Sequence, residues 1–287
     1  MNIYEEITQS IITELENGCA PWVKAWNAPG GADKNVISQK PYRGINRLLL
    51  SMTGGIKGYK NPAWATYKQW DSLGGQVRKG EKATKIIFWS QAQSVTPEGE
   101  SKAYAFAKAY SVFNLEQGEG IEITESDEPV ISQNEKNAIC EKRIKDTGAK
   151  IVHGGDVACF IPSADIIRMP EIGTFKGSEH YYATAFHELT HWTSEKSRCD
   201  RDLSKGRFGN SEYAFEELVA ELGAAFLCGH HGIQGDLRHA GYIDSWLKCL
   251  KNDPKAIFKA SGLAQSAADY ILAFNSAESA EDELLAA

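Results

Sequence analysis

The chain has 287 residues, of which 42% are hydrophobic and 24% charged, a globular composition with room for two domains. It contains no run of eighteen apolar residues, so we expect no membrane-spanning segment. The opening MNIYEEITQSII is acidic where a secretory signal is basic, and the six cysteines include no C-x-x-C pair. We therefore expect a cytoplasmic protein without a disulfide framework.

The net charge of −7 is unevenly distributed along the chain. Residues 1–112 hold 14 Lys and Arg against 9 Asp and Glu, whereas the remainder holds 17 against 29. A basic half joined to an acidic half indicates nucleic-acid contact by the basic half. The alternative, a small positive excess spread over a folded surface without a function, stays open on charge alone.

Helix and strand signals alternate in the first half. Apolar residues recur at helical spacing from Ile3 to Leu15, which predicts an opening helix. The segment AWATYKQWDSL at 63–73 lies between a proline and two glycines, which predicts a second, short helix. Segments 84–90 and 104–114 are rich in aromatic and β-favouring residues and are predicted to be strands.

The acidic segment EQGEGIEITESDEP is the clearest break in composition. It predicts a first domain over 1–115, a linker over 116–130 and a second domain over 131–287. Both domains are expected to mix helices and strands, so the predicted fold class is α+β.

The second domain is predicted to be mainly helical. Two short apolar segments, 150–153 and 157–161, are separated by Gly154-Gly155, which predicts a β-hairpin. Helices are predicted at 133–147, 178–195, 211–228, 240–251 and 254–274, with Gly262 as a potential break in the last.

The segment HELTH combines two histidines and a glutamate at metal-site spacing. His187 and His191 are four residues apart on a predicted helix, so one turn brings both imidazoles to one face, where they can share a Zn²⁺. Glu188 lies one step round the helix and can hold and deprotonate a metal-bound water. The segment therefore predicts two metal ligands and a catalytic general base; two histidines on an ordinary helix surface are the alternative.

A catalytic zinc needs a third protein ligand and one open position. The segment FEELVAELGAAFL places Glu217 and Glu221 four residues apart on a helix that is apolar on most sides, where carboxylates must be paired or bound to metal. This pairing resembles the gluzincin arrangement, which implies Glu217 as the ligand and Glu221 as the acceptor of the outer N–H of a ligand histidine. Glu216 stays open as a rival ligand because the phase of a predicted helix is uncertain by a residue.

Two further properties of the metal site stay open. His239 and Tyr242 are three residues apart and could stabilise a tetrahedral oxyanion, with an ordinary helix surface as the alternative. The ligand set suits Zn²⁺, and Mn²⁺ or another divalent ion competes for such ligands.

Aromatic and basic residues are interleaved in the first half, which holds five of the seven tryptophans within its first 89 residues. Aromatic faces stack on unpaired bases while Lys and Arg follow phosphates, which is typical of single-stranded nucleic-acid binding. Burial of the rings in a domain core is the alternative. The candidate DNA contacts are Lys40, Tyr42, Arg43, Arg47, Trp64, Tyr67, Lys68, Arg78, Lys79 and Lys82.

Several segments together resemble the plasmid antirestriction proteins of the ArdC type, whose N-terminal domain is also similar to that of some conjugative primases. The matching segments are PWVKAWN, PYRGINRLLL, NPAWATYKQW and VRKGEK in the first half, and FHELTHWT, RCDRDL, YAFEELVAELGAAFL, RHAGYIDSWLK and AADYIL in the second. The resemblance implies a small α+β domain that binds single-stranded DNA and a zincin-like metallopeptidase domain with a short mixed sheet and active-site helices. It implies His187, His191 and Glu217 as metal ligands and Glu188 as the catalytic acid/base.

The resemblance also implies a function, namely antirestriction protection of single-stranded DNA that enters a host during conjugation. A host restriction-related protein is then the expected substrate or target of a zinc metallopeptidase. A second hypothesis keeps the metal structural and makes the protein a non-catalytic shield of DNA or a binder of restriction enzymes. A third, zinc chemistry on DNA itself, is disfavoured because nucleobase deaminases use a His/Cys/Cys site.

Overall fold

The chain folds as α+β and divides into two compact units in a computed structural model. One unit, Ala28–Ser126, is called the sheet unit; the other, called the helical unit, combines Met1–Asn27 with Asp127–Ala287. The structure describes residues 2–18, 20–24, 32–95, 101–121, 131–202, 211–234 and 242–274. Across those ranges, no helix is both long and apolar enough to cross a membrane.

The N-terminal helices α1 (Ile3–Glu16) and α2 (Pro21–Lys24) belong to the helical unit, whereas the sequence predicted a first domain over 1–115. The apolar face of α1 is buried, and Thr8 Oγ1 donates to the carbonyl of Pro254 at 2.6 Å. These partners are 246 residues apart in sequence, so a composition break could not reveal the contact.

The sheet unit is built from short strands, one long hairpin and two helices. Its elements are, in chain order, β1 (Lys34–Asn35), α3 (Gly44–Lys57), β2 (Ala63–Thr66), α4 (Tyr67–Ser72), β3 (Gln76–Val77), β4 (Thr84–Val95), β5 (Ser101–Asn114) and β6 (Gly118–Glu119). Four strands form a sheet of order β1-β2-β5-β4, in which only the β1–β2 pair is parallel, and β3 and β6 form a separate antiparallel pair. The strands predicted at 84–90 and 104–114 are confirmed as parts of β4 and β5.

The helix predicted over 63–73 is wrong in its first four residues, which form strand β2. Side chains of a strand alternate between the two faces of a sheet. Trp64 is buried in one hydrophobic cluster, and Ala63 and Ala65 are buried in another. Thr66 then caps helix α4 by accepting from the backbone N–H of Gln69.

The helical unit continues with helix α5 (Gln133–Asp146) and the strands β7 (Lys150–His153), β8 (Cys159–Ile161) and β9 (Ile166–Met169). The hairpin predicted between 150–153 and 157–161 is wrong. Strand β9 lies between β7 and β8, parallel to the first and antiparallel to the second. The chain reverses instead at Asp165, which has the left-handed φ of 50°. Strand β8 is thus an edge of this sheet.

The remaining helices of this unit are α6 (Ser178–Trp192), α7 (Ser211–His231), α8 (Ile243–Asn252) and α9 (Ala256–Ala273), and each overlaps a predicted helix. Helix α7 packs against α6, α8 and α9 and is buried along most of its length. Gly223 permits the close approach of α6, because a Cβ there would lie 2.6 Å from the Thr190 side chain. Helix α9 passes through Gly262 without a break.

Candidate metal centre

Helices α6 and α7 bring three side chains to one point. His187 and His191 lie one turn apart on α6, and their Nε2 atoms are 3.2 Å apart. Glu217 on α7 places Oε2 3.5 Å from Nε2 of His187 and Oε1 3.6 Å from Nε2 of His191. These three residues form a group whose ligand atoms could hold a metal ion, as the spacing of HELTH and the Glu217 position predicted.

The spacing of the two imidazoles and the carboxylate suits a tetrahedral divalent metal. With metal–ligand bonds of about 2.0–2.1 Å, tetrahedral angles place neighbouring ligand atoms ~3.3 Å apart. The two imidazole Nε2 atoms are 3.2 Å apart, and the Glu217 carboxylate comes within 3.5 Å of His187 through Oε2 and within 3.6 Å of His191 through Oε1. The three groups therefore approach one another at about this spacing, although different oxygens make the two carboxylate contacts. Two imidazoles and one carboxylate suit Zn²⁺ or Mn²⁺ and leave one coordination position for water or substrate.

Glu216, the rival ligand, faces a different atom. Its Oε1 lies 3.2 Å from Nδ1 of His191, the ring nitrogen remote from Glu217. The same carboxylate accepts hydrogen bonds from Arg201 Nε at 3.1 Å and Nη2 at 3.0 Å. Glu216 therefore holds the outer edge of His191 and is directed away from the three ligand atoms.

Glu221 lies close to the other histidine. Its Oε1 is 3.9 Å from Nδ1 of His187, which is beyond hydrogen-bond distance. Within the described residues, His187 Nδ1 has no hydrogen-bond partner although it is buried. The role of Glu221 in orienting a histidine stays a prediction. The Nδ1 atom that does have a carboxylate within hydrogen-bond distance is that of His191, and the carboxylate is Glu216.

Charge around the three ligand residues favours a bound cation. Burial opposes protonation of His191, but the Glu216 and Glu217 carboxylates outweigh it and raise its pKa to about 10. Burial also lowers the pKa of His187, and Glu217 reverses that shift so that the pKa is raised. Burial opposes ionisation of Glu217, yet the histidines lower its pKa overall. The carboxylates thus favour positive charge on or between the two histidines, supplied by protons or by a metal ion that displaces them.

A pocket of about 730 Å³ opens over the three ligand residues and is also lined by Glu188, Tyr213 and Tyr242. The hydroxyls of Tyr213 and Tyr242 are 3.4 Å apart. Burial raises the pKa of Tyr213, and Tyr242 and Glu217 add to the shift, so Tyr213 is a protonated donor at neutral pH. Tyr213 was not among the site residues predicted from the sequence, although it precedes Glu217 by four residues and so shares its helix face. His239 lies outside the described residues.

The candidate DNA contacts separate into buried and exposed residues. Trp64 has no exposed surface, and its Nε1 donates to Asp33 Oδ1 at 2.6 Å; Tyr42 is also in the core. Neither ring has a face for a base, which corrects both candidates. Arg78 donates to the carbonyls of Glu116 and Gly118 and so anchors a loop. Arg47 is half-buried, and the exposed candidates are Lys40, Arg43, Tyr67, Lys68, Lys79 and Lys82.

Exposed aromatic rings occur elsewhere, on the β4–β5 hairpin. Phe88 and Tyr110 are 48% and 38% exposed, and their ring centroids are 5.5 Å apart. Phe88 is directly opposite Lys108 in the strand register, and Lys108 Nζ lies 5.3 Å from the centroid of the Tyr110 ring. These three residues, called the hairpin face, were not among the candidate contacts. Trp89, 57% exposed, is on the opposite face of the same strand.

Comparisons with known proteins match both halves of the chain. Residues 138–263 match the family described as zincin-like metallopeptidase, and residues 1–113 match the N-terminal domain of anti-restriction factor ArdC. The protein y4eC of Sinorhizobium fredii (strain NBRC 101917 / NGR234) is 38% identical over an alignment 283 residues long, which covers 94% of this chain and 91% of that protein. The DNA primase TraC of Escherichia coli is 38% identical over an alignment 294 positions long, gaps included, which covers 94% of this chain but 27% of the primase.

Two solved structures are also similar, both of the antirestriction ArdC protein from the R388 plasmid. The metal-free crystal structure aligns with a TM-score of 0.82 at 38% identity and covers 96% of this chain and 98% of that one. The Mn(II)-bound crystal structure aligns with a TM-score of 0.79 at 37% identity, with the same coverage.

Proposed function

The chain belongs to the ArdC family of antirestriction proteins, and from that premise we propose that it protects single-stranded DNA from restriction during conjugation. It acts in the cytoplasm of the recipient cell, where it binds the entering strand and hydrolyses a host restriction-related protein. The hydrolytic part is carried by one observation, the three ligand atoms of His187, His191 and Glu217 beside Glu188 in an open pocket.

The protein residues around the metal have distinct tasks in peptide hydrolysis. A divalent metal held by these ligands supplies Lewis-acid activation of water and of the substrate carbonyl. Glu188, which is buried and lines the pocket, accepts the proton of the attacking water and passes it to the leaving amine. Tyr213 and Tyr242 supply hydroxyl donors for the negative charge that develops on the carbonyl oxygen.

The edge strand β8 supports a peptide as the substrate. Ala158, Cys159 and Phe160 line the same pocket as the metal ligands. An edge strand offers backbone N–H and C=O groups to which an extended peptide can add as a further strand. The pairing would hold a scissile peptide bond across the pocket, a geometry that a flipped nucleobase does not need.

A substitution at Glu188 separates this function from the non-catalytic alternative. Glu188→Gln keeps the side-chain size and removes the base, so zinc and DNA should still bind while peptide hydrolysis is lost. The matched control is Glu179→Gln on the first turn of the same helix, outside the residues that line the pocket. The measurement is the ratio of plasmid transfer into restricting and non-restricting recipients. Full protection by Glu188→Gln would overturn the protease account and favour a shield whose metal is structural.

The DNA-binding part of the proposal is supported by the hairpin face. Two exposed rings and a lysine ammonium provide stacking surfaces for bases and a contact for phosphate. The sheet unit over residues 28–126 contains 13 Lys and Arg against 9 Asp and Glu, so its charge attracts a polyanion.

Helix α3 brings a further cation to the same hairpin. The side chain of Asn46 donates to the carbonyl of Ile87 at 2.7 Å and accepts from its N–H at 2.6 Å. These bonds hold the first turn of α3 beside edge strand β4, next to Phe88. Arg43, the N-cap residue of α3, is exposed at this end of the helix. We therefore propose Arg43 as a further DNA contact beside strand β4 and treat the other exposed candidates as secondary contacts.

The hairpin face is tested with Tyr110→Ala and a control on the opposite face, Trp89→Ala. Loss of one stacked base contact costs about 1–3 kcal/mol, so Tyr110→Ala should weaken single-stranded DNA affinity by about 5-fold to 150-fold. Trp89→Ala should change it by less than about two-fold. Fluorescence anisotropy of a labelled oligonucleotide at fixed salt measures both. Equal losses would contradict the assignment to one face, and absence of binding by the unsubstituted protein would contradict DNA binding itself.

A further inference from the structure

Arg201 makes an unusually complete set of contacts close to the metal site. It is buried, with 8% of its surface exposed. Its guanidinium donates to Glu216 Oε2 at 3.1 Å and Oε1 at 3.0 Å, which is the bidentate geometry of a strong arginine–carboxylate pair. It also donates to the carbonyl of Thr190 at 2.6 Å and to Thr193 Oγ1 at 2.9 Å, at the end of helix α6. One side chain thus joins the carboxylate to the helix that carries both histidines.

The Glu216 carboxylate, held by Arg201, in turn restrains the ring of His191. Its Oε1 lies 3.2 Å from Nδ1 of the imidazole, on the side opposite the ligand atoms. A carboxylate that accepts the Nδ1–H fixes the tautomer whose lone pair is at Nε2 and also fixes the plane of the ring. His191 Nε2 is then directed at the point it shares with His187 and Glu217.

The two histidines are held differently. Among the described residues, His187 Nδ1 makes no hydrogen bond, and the carboxylate oxygen of Glu221 lies 3.9 Å away. His191 is therefore the ligand that is oriented before a metal binds. The adjacent glutamates also differ, because Arg201 engages both oxygens of Glu216 while Glu217 faces the histidine nitrogens.

We propose that Arg201 is a positioning residue that dedicates Glu216 to His191 and thereby selects Glu217, its neighbour in sequence, as the metal ligand. The arginine neutralises Glu216 and restrains its rotation, so this carboxylate cannot turn towards the metal. The proposal concerns metal binding and is independent of whether the protein hydrolyses peptides. The proposal also assigns a function to the RCDRDL segment, which contains Arg201.

The chain offers a closely matched control in Arg198. Arg198 donates to the carbonyl of Trp192 at 2.6 Å and pairs with Asp165 at 2.6 Å, so it too fastens the loop after α6. It makes no contact with Glu216 among the described contacts. If Arg201 only fastened this loop, substitution of either arginine would have the same effect on zinc binding.

The test compares Arg201→Lys, Glu216→Gln and Arg198→Lys in the full chain. Lysine keeps the charge of arginine but lacks its planar fork, and glutamine keeps the size of glutamate but cannot accept both arginine N–H groups. We expect Arg201→Lys and Glu216→Gln each to weaken Zn²⁺ affinity by about 10–100-fold. Both should also alter the visible absorption of the Co²⁺-loaded protein, which reports ligand identity and geometry. Arg198→Lys should leave the affinity and the spectrum unchanged.

The readouts separate positioning from simple stabilisation of the loop. Zn²⁺ affinity is measured by competition with a chromophoric chelator, and urea unfolding of the metal-free variants gives their stability. If Arg201→Lys and Arg198→Lys lower stability alike and neither changes the affinity or the Co²⁺ spectrum, the proposal is overturned. It is also overturned if Glu216→Gln binds Zn²⁺ as tightly as the unsubstituted protein with an unchanged Co²⁺ spectrum, a comparison that holds even if Arg201→Lys fails to fold.

Discussion

Replacement of Trp64 by Phe distinguishes a core residue from a DNA contact. The Trp64 ring has no exposed surface, and its indole N–H donates at 2.6 Å to the buried carboxylate of Asp33. Phenylalanine removes that donor and leaves a space. Loss of a hydrogen bond to a charged group costs about 1.5–3 kcal/mol, and the space adds on the order of 1–2 kcal/mol. We therefore expect the free energy of unfolding of the sheet unit to fall by about 2.5–5 kcal/mol.

The pH dependence of this loss follows from Asp33. Burial raises the pKa of its carboxyl, and the hydrogen bonds from Ser51 and Trp64 oppose that shift. Without the indole donor the pKa rises further, so the folded variant binds a proton more readily. The destabilisation caused by Trp64→Phe should therefore shrink as the pH falls through the carboxyl range, because a neutral carboxyl is less costly to bury.

Hydrogen exchange measured by mass spectrometry is the suitable assay, since two units need not unfold in one transition. Peptides from strands β2 and β5 should lose protection in Trp64→Phe, whereas Trp89→Phe, at an exposed position, should leave them unchanged. Single-stranded DNA affinity should stay within about two-fold at conditions where the variant is folded. Loss of DNA affinity with unchanged protection would refute the assignment of Trp64 to the core.

Three further predictions concern the helical unit. Zinc must displace protons from a histidine pair whose pKa values are raised, to about 10 for His191. Zinc affinity should therefore rise about ten-fold or more per pH unit between pH 7 and 9. Calorimetry in buffers of different ionisation enthalpy should show that about one to two protons are released per zinc bound. Zinc binding without proton release would contradict the assignment of protons to the histidines. In the metal-free protein, the raised pKa of His191 contributes folding stability that is fully present below about pH 6.5 and is lost as the pH rises through about 10. A thermal unfolding midpoint that does not fall over this pH range would contradict the raised pKa. Gly223→Ala places a Cβ 2.6 Å from the Thr190 side chain, so it should separate α6 from α7 and weaken zinc binding. Gly262→Ala meets open space on helix α9 and should stabilise the protein by about 0.5–1 kcal/mol. Thermal melts and chelator competition measure both variants, and equal effects of the two substitutions would contradict the packing argument.

The ligand residues could be predicted from the sequence because helical spacing is local. HELTH places two imidazoles on one face whatever surrounds it, and Glu217 and Glu221 are unusual in an apolar helix. The resemblance to the ArdC type is confirmed over both halves of the chain. The choice between Glu216 and Glu217 could not be made from spacing, since we attribute it to Arg201, which contacts Glu216 from 15 residues earlier in the chain.

The proposed nucleic-acid contacts were harder to predict because composition does not report exposure. Trp64 and Tyr110 are both aromatic residues with basic neighbours in sequence, yet the first is fixed inside the core by Asp33 and the second is exposed. Strand β9 was missed since its four residues show no clear alternation, and its place between β7 and β8 is a non-local pairing. The position of α1 depends on contacts with residues near the other end of the chain.

The metal site is tested most directly by a crystal structure of the zinc-loaded protein with anomalous diffraction at the zinc edge. We predict one zinc bonded at about 2.0–2.1 Å to Nε2 of His187, Nε2 of His191 and a carboxylate oxygen of Glu217. Glu188 should face the open position without a bond to the metal, and Glu216 should keep its contact with His191 Nδ1. A zinc bonded to Glu216 or Glu188 in place of Glu217, or bound away from the two histidines, would contradict the account.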